Sequence, residues 1–278
     1  MDTFFHAALV ADSLSLGAHW VYDQEEIAEA FPHGITNFSA PLSEYHKTKR
    51  AGDQTHYGDQ AVMLHESIEA RDGFDTEGWR EDWLAAMESY EGYTDGASRE
   101  TIKAEGKTPS GSSDLGGAAR IAPILDLGLE LEEAVVASRA QTALTHGDSS
   151  VADAAEFFTR AAYAVDAGSV FEDALDIAAE EGSYKRLKVV KHLERARELR
   201  DENFPAVAEM LGQACGVDQA FPLALYFLLR PQTDFEKTIS DNALAGGDSS
   251  ARAMLIALLF AAEDADVAAE WVDGLRAG

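Results

Sequence analysis

The sequence predicts an all-α protein, and three observations carry that reading. Apolar residues recur at three- and four-residue spacing in almost every segment. Sustained alternation of branched and polar residues, the mark of strands, is nearly absent. No linker divides residues 1–278, so a single-domain bundle of about ten helices is expected.

Taken in order, Phe4 to Gly17 is the first helix, with Phe4, Ala7, Ala8, Ala11 and Leu14 at helical spacing. Asp12 lies within this small, apolar run, as an exposed position or an inward carboxylate. His19, Trp20, Tyr22 and Asp23 follow where the helix should end. Residues 31–58 are rich in Gly, Pro, Ser, Thr and His, and a loop of that length is usually functional or mobile. The next helix covers Ala61 to Ile68, with Asp59 placed as a candidate N-cap. Thr76 to Tyr90 is amphipathic, and its aromatics Trp79, Trp83 and Tyr90 are expected in the core. The Gly- and Ser-rich stretch from Lys107 to Gly117 reads either as backbone N–H groups free to hold phosphate or hydroxyl, or as a flexible loop.

Helical character resumes at Ala118 with Arg120 as its lone charge. It continues through Leu131–Leu144, Val151–Val165, Phe171–Glu180, the basic Lys185–Arg200, Phe204–Gly212 and Phe221–Arg230. Near the C-terminus, Gly246 and Gly247 permit close backbone approaches, and Asp248, Ser249 and Ser250 are cap-type residues. Ala251 to Ala262 is apolar on nearly every face except at Arg252, so this helix should be buried. The tetrapeptide Gly-Asp-Ser-Ser occurs at 147–150 and again at 247–250, and shared capping chemistry is the expected reason.

Composition excludes several classes of function. The net charge of −28, from 50 acidic against 22 basic residues, repels nucleic acid and anionic lipid. No apolar run reaches the roughly 18 residues of a membrane span. Met1-Asp-Thr-Phe-Phe-His lacks the features of a signal peptide, and the lone Cys215 fits a reducing compartment, so a cytoplasmic location is expected. Cys215 reads as a small packed side chain. There is no nucleophile elbow, Walker loop, dinucleotide fingerprint or zinc-type Cys/His spacing. What remains is a set of polar groups at helix ends: Asp12, Asp59, the Gly116-Gly117 turn, His146, and Asp248 to Arg252. Helix N-termini converging on one crevice would make an anion-friendly pocket.

These groups occur in the motif order of a known family. Val10-Ala-Asp-Ser-Leu-Ser-Leu-Gly-Ala-His-Trp-Val-Tyr-Asp23, Thr55-His-Tyr-Gly-Asp-Gln60, Asp114-Leu-Gly-Gly-Ala-Ala-Arg120, Thr145-His146 and Gly246-Gly-Asp-Ser-Ser-Ala251 resemble the five motifs of the ADP-ribosylglycohydrolases, in particular the branch that includes the jellyfish J1 crystallins. The resemblance implies an orthogonal helical bundle. It also implies a hydrolase acting on a glycosidic bond of ADP-ribose or a related nucleotide-sugar conjugate, with a small-molecule or ADP-ribosylated substrate as partner. It places Asp59 and Asp248 as catalytic residues. Asp12, His56, Tyr57, Gly116, Gly117, His146, Ser249, Ser250 and Arg252 become substrate-binding residues.

The departures from the family pattern bear on the metal. Active members hold two Mg²⁺ with Thr-Asp-Asp from one motif and Asp-x-Asp-Thr from another. Here the first set reads His56, Tyr57 and Gly58, and the second keeps Asp248 but has Ser250 and Ala251. Magnesium needs hard oxygen ligands, so no metal ligand set and no cofactor is expected, with Mg²⁺ the one candidate ion. Arg252 is expected to replace part of the lost positive charge by pairing with Asp248, Asp59 or a substrate phosphate. The alternative is a non-catalytic, ligand-binding or crystallin-like protein in which Arg252 is a structural tie.

Overall fold

The computed structural model describes residues 3–231 and 234–276; Met1 and Asp2, where the leader reading began, lie outside them. The chain opens with α1 (Thr3–Ser15) and α2 (Gln24–Ala30). A 3-10 turn (Glu44–His46) interrupts the long irregular segment before α3 (His56–Arg71), α4 (Thr76–Glu88) and α5 (Gly96–Lys103). The short α6 (Gly116–Ala119) and α7 (Ala122–Leu125) lead into α8 (Leu131–Thr145) and α9 (Ser149–Asp166). Then come α10 (Phe171–Glu181), α11 (Val189–Leu199), α12 (Phe204–Leu211), α13 (Val217–Leu229), α14 (Phe235–Leu244), α15 (Ser249–Glu263) and α16 (Ala269–Val272). The described residues hold no strand, only isolated bridges pairing Ser110 with His146 and Asp114 with Gly216. The all-helical expectation therefore stands.

Helices α2, α5 and α14 were not anticipated, and each hides for a physical reason. Only Ile27 of α2 is buried. The buried face of α5 is Ala97, Ser98 and Thr101, and that of α14 includes Thr238, Ser240, Asp241 and Asn242. Polar groups on the buried face blur the apolar period, which in α14 consists only of Phe235, Ile239 and Ala243. Their starts are nonetheless capped as the residue types allow, by Asp23, Asp95 and Asp234.

Helix α15 is the axis of the core. It packs against α1, α6, α9, α13 and α14, and every residue from Ser249 to Ala261 is buried. Burying each of Leu255, Ile256, Leu258 and Leu259 contributes about 1.5–3 kcal/mol relative to exposure. A second apolar cluster gathers Trp79, Trp83, Met87, Leu64 and Ile68 under α8, as the aromatic spacing of α4 required. No described helix is long and apolar enough to cross a membrane.

The approach to α15 is a tight crossing of backbone. Gly246 and Gly247 have φ of +79° and +68°. Gly247 N–H donates to the Val21 carbonyl at 2.7 Å, its carbonyl accepts from Trp20 N–H at 2.8 Å, and Asp248 N–H donates to Gln213 at 2.9 Å. A Cβ on Gly247 would run into the Gln213 carbonyl. Gly247→Ala should therefore cost at least about 2 kcal/mol in urea unfolding, since strained backbone adds to the clash; a change within about 0.5 kcal/mol would show that the crossing relaxes freely.

Candidate functional site

The two Gly-Asp-Ser-Ser copies part company in three dimensions. Asp148 caps α9 as expected, accepting from Ser150 N–H at 2.9 Å and from its hydroxyl at 2.8 Å. Asp248 makes no close capping hydrogen bond at the start of α15, only a weaker approach from Ala251 N–H. Its Oδ2 instead accepts from the Tyr57 hydroxyl at 2.7 Å and the Trp20 indole N–H at 3.4 Å. Its Oδ1 has no hydrogen-bond partner, nor do the buried hydroxyls of Ser249 and Ser250. The α15 start is served from elsewhere: Ser250 N–H donates to His19 Nδ1 at 3.3 Å. Shared capping thus holds at position 148 and fails at 248, because burial beside Tyr57 offers that carboxylate a stronger partner.

Tyr57 joins Asp248 to a second carboxylate. Its hydroxyl lies 3.2 and 3.1 Å from the oxygens of Asp114, whose Oδ1 also accepts from Gly116 N–H at 2.8 Å. Burial and the charge of Asp248 push the Asp114 pKa well above the usual carboxylate range. Burial likewise raises that of Asp248, against the opposing Tyr57 hydrogen bond and the Arg252 charge. A protonated Asp114 can donate to the Tyr57 oxygen, which in turn donates to Asp248, giving a continuous path for a proton. Cys215 stands beside the pair, with one ligand atom from each of the three residues within 4.8 Å of the others. Burial and the two acids hold its thiol up at about 12, so it is a protonated neighbour and not a nucleophile.

The loop that carries Asp114 is pinned, not flexible. Leu115 N–H donates to the Cys215 carbonyl and Val217 N–H to Ser113, both at 2.8 Å, while Gly147 N–H donates to Ser110 at 2.7 Å. Gly116 and Gly117 are glycines because rings lie on them: a Cβ would enter Tyr57 at the first and His146 at the second. Thr145 Oγ1 accepts from Arg120 Nη2 at 2.6 Å and lies 2.8 Å from His146 Nδ1. Assigning the threonine proton to Nδ1 puts the His146 proton on Nε2, an atom with no other partner. Burial and the Arg120 charge lower the His146 pKa to about 3, so the ring is neutral.

Asp12 and Asp59 form a separate group. Asp12 is fully buried and accepts from Thr55 N–H at 2.7 Å and from its hydroxyl at 2.6 Å. Burial raises its pKa to about 7. The Asp59 oxygens accept from Lys49 Nζ at 2.7 and 2.6 Å and from the Tyr90 hydroxyl at 2.5 Å. The hydrogen bonds of Asp59 thus go to Lys49 and Tyr90, those of Asp248 to Tyr57 and Trp20. Gly58 sits against Asp12, where a Cβ would run into its carboxylate.

Arg252 is sealed inside, 0% exposed. Its Nε donates to Asn242 Oδ1 at 2.9 Å and its Nη2 to the Gly246 carbonyl at 2.8 Å. These hydrogen bonds tie the crossing before α15 to α14 and do not reach Asp59 or Asp248. Burial lowers its pKa to about 10, so it stays charged and contributes a field at Asp248.

Two histidines that the sequence reading left out of the site belong beside it. His19, His46 and the anticipated His56 are buried together, with His46 Nε2 and His56 Nδ1 3.3 Å apart. Trp20 stacks on His19 at 4.7 Å and meets Tyr45 and Tyr93 edge-on. Trp20 holds φ of +60°, a left-handed backbone rare outside glycine. The long irregular segment 31–58 was the only available signal for His46, and nothing in its spacing marked that histidine as a partner of His19.

The family model described as ADP-ribosylglycohydrolase matches residues 5–278. No curated protein gives a significant sequence match. Among solved structures, one titled "ADP-ribosylglycohydrolase-related protein complex" superposes with a TM-score of 0.69 at 18% identity, covering 94% of this chain and 86% of that one. At that identity the likeness speaks to the fold.

Two outcomes test the geometry. Arg252→Met should lower unfolding free energy by about 2–4 kcal/mol, because Asn242 Oδ1 and the Gly246 carbonyl lose a charged donor; an unchanged denaturation midpoint would remove Arg252 as a tie. The Asp12 pKa is about 7 folded against 3.8 as the ordinary value, so its contribution to stability, full below 3.8, is lost as pH rises through 7. The slope reaches about 1.4 kcal/mol per pH unit. In urea unfolding at a series of pH values, the Asp12→Asn variant should gain on the wild type across that window, and parallel curves would contradict the assignment.

Proposed function

The chain belongs to the ADP-ribosylglycohydrolase family, whose members are hydrolases acting on ADP-ribosylated substrates, and on that premise we propose that it cleaves a glycosidic bond of ADP-ribose or a related nucleotide-sugar conjugate with Asp114, Tyr57 and Asp248 handling the protons. The observation that carries this reading is the buried Asp248 carboxylate, withheld from its own helix and left with an unpartnered oxygen. Hydrolysis sends a proton to the leaving group and hydroxide to the anomeric carbon, which needs an acid and a base close together. Asp114, kept protonated by burial and by Asp248, is the donor. Asp248 orients and deprotonates the water through Oδ1, and Tyr57 carries the proton between the two acids. His146 presents its Nε2–H to a ligand oxygen, and the Gly116-Gly117 turn lies beside it. Asp59, engaged with Lys49 and Tyr90, holds the long segment in place.

A pair of magnesium ions does not fit these residues. The positions that supply its ligands in the family hold His56, Tyr57 and Gly58 on one side, and Asp248, Ser250 and Ala251 on the other. One carboxylate remains, and Asp12 fills the space in which a side chain at Gly58 would begin. No step of the proposed reaction runs through magnesium. A second reading, binding without turnover in a crystallin-like protein, is favoured by one fact: Asp248 is 0% exposed.

The test is release of ADP-ribose from ADP-ribosylated arginine, ADP-ribosylated serine and O-acetyl-ADP-ribose, with and without Mg²⁺, beside calorimetric titration with ADP-ribose. Turnover indifferent to Mg²⁺ is expected, and Asp248→Asn should reduce it about a hundredfold to ten-thousandfold. ADP-ribose binding without turnover would select the second reading, and Mg²⁺-dependent turnover would overturn the metal-free scheme.

A further inference from the structure

Three imidazoles take no part in that scheme, and they converge from three separate segments. His19 follows α1, His46 lies in the 3-10 turn, and His56 opens α3. Their relative exposures are 0%, 2% and 0%. One ring nitrogen from each lies within 4.8 Å of the other two. A neutral imidazole carries one donor and one acceptor, so three buried rings need six partners. Instead His19 Nε2, His46 Nδ1 and His56 Nε2 have none. The other nitrogens of His46 and His56, Nε2 and Nδ1, face each other at 3.3 Å, where a shared proton or a shared metal ion fits between their lone pairs.

We propose that His19, His46 and His56 bind a divalent late-transition-metal ion of the zinc class, leaving a coordination position open to a ligand oxygen. The 3.3 Å between His46 Nε2 and His56 Nδ1 matches the edge of a tetrahedron whose metal–nitrogen bonds are about 2.0–2.1 Å, an edge of about 3.3–3.4 Å. Nitrogen donors select zinc, copper, nickel or cobalt over magnesium. Holding the ion through Nε2 puts the His19 proton on Nδ1, which then turns from the Ser250 N–H, its partner in the free protein, toward Asp248 Oδ1, 3.9 Å away. Trp20, Tyr45 and Tyr93 supply the surrounding aromatic shell. The ion differs in class from the family's magnesium, and its binding does not depend on the hydrolase reading.

The intact chain, stripped with a chelator and desalted, is titrated with Co²⁺ and then challenged with Zn²⁺, while circular dichroism monitors helix content. One Co²⁺ per chain is expected, with the visible d–d absorption of a four-coordinate ion, a raised Tm, displacement by Zn²⁺ and indifference to millimolar Mg²⁺. His46→Ala, placed on the irregular segment where a lost side chain disturbs helices least, should weaken Co²⁺ binding by at least about a hundredfold, beyond what loss of an outer partner costs. His46→Cys should keep the ion and add a sulfur-to-metal charge-transfer band, which a merely structural histidine would not produce. Absence of Co²⁺ binding by folded protein, or binding unchanged in His46→Ala and His56→Gln, overturns the site. Because the readouts are metal content and spectra, failed hydrolysis with intact Co²⁺ binding refutes only the hydrolase reading, and the converse refutes only the metal site.

Discussion

A helix that starts inside a protein must find acceptors for its first N–H groups without help from water. For α15, the most enclosed helix here, that constraint shapes everything around it. The Gly246-Gly247 crossing brings the Val21 and Gln213 carbonyls to the entering backbone, and Arg252 ties the same turn to Asn242. His19 takes the Ser250 N–H. With the helix start served by its surroundings, Asp248 is released from the duty its residue type usually performs and can face Tyr57.

The same enclosure sets the electrostatics of the site. Burial raises the pKa of Asp12, Asp114 and Asp248 and lowers that of His19, His46, His56 and His146. Acids and bases are both driven toward their neutral forms. In a chain with a net charge of −28, these groups are drawn toward neutrality, whereas the buried Asp95, held down by neighbouring His56 and the Ser98 hydrogen bonds, stays ionised among them. An anionic ligand that passes the acidic surface would meet dipoles, imidazoles and the field of the buried Arg252 and Arg120. The positive charge that the sequence reading sought at Arg252 is present, but as a field through the interior and not as a contact.

The helical architecture was legible because burial is periodic: α1, α4, α8, α9 and α15 were readable from apolar spacing alone. It failed for α5, where the buried face is mostly polar, and for α14, where polar groups are buried among Phe235, Ile239 and Ala243. The site was legible in part. Asp248, Tyr57, His146 and the Gly116-Gly117 turn could be singled out from motif order, and the structure buries them close together with Asp114. What sequence could not supply was pairing across the fold. Two identical tetrapeptides gave identical local expectations, yet only Asp148 caps, because the partner that diverts Asp248 comes from Tyr57, far away along the chain. His46 gave no signal because its neighbours in space belong to α3 and to the turn after α1. Arg252 suggested a ligand contact because spacing along a helix says nothing of the carbonyls, here Asn242 and Gly246, that wait beside it.

Trp20 gives the molecule an optical handle on its own interior. Its indole N–H points at Asp248, and its ring touches His19, His46 and His56. The other tryptophans sit elsewhere: Trp79 and Trp83 lie in the second apolar cluster, and Trp271 packs on Phe38. Indole emission responds to nearby charge and is quenched by imidazolium and by many transition-metal ions. Fluorescence from position 20, isolated by replacing the other three with phenylalanine, would report protonation and occupancy of the site as they happen, with no label attached.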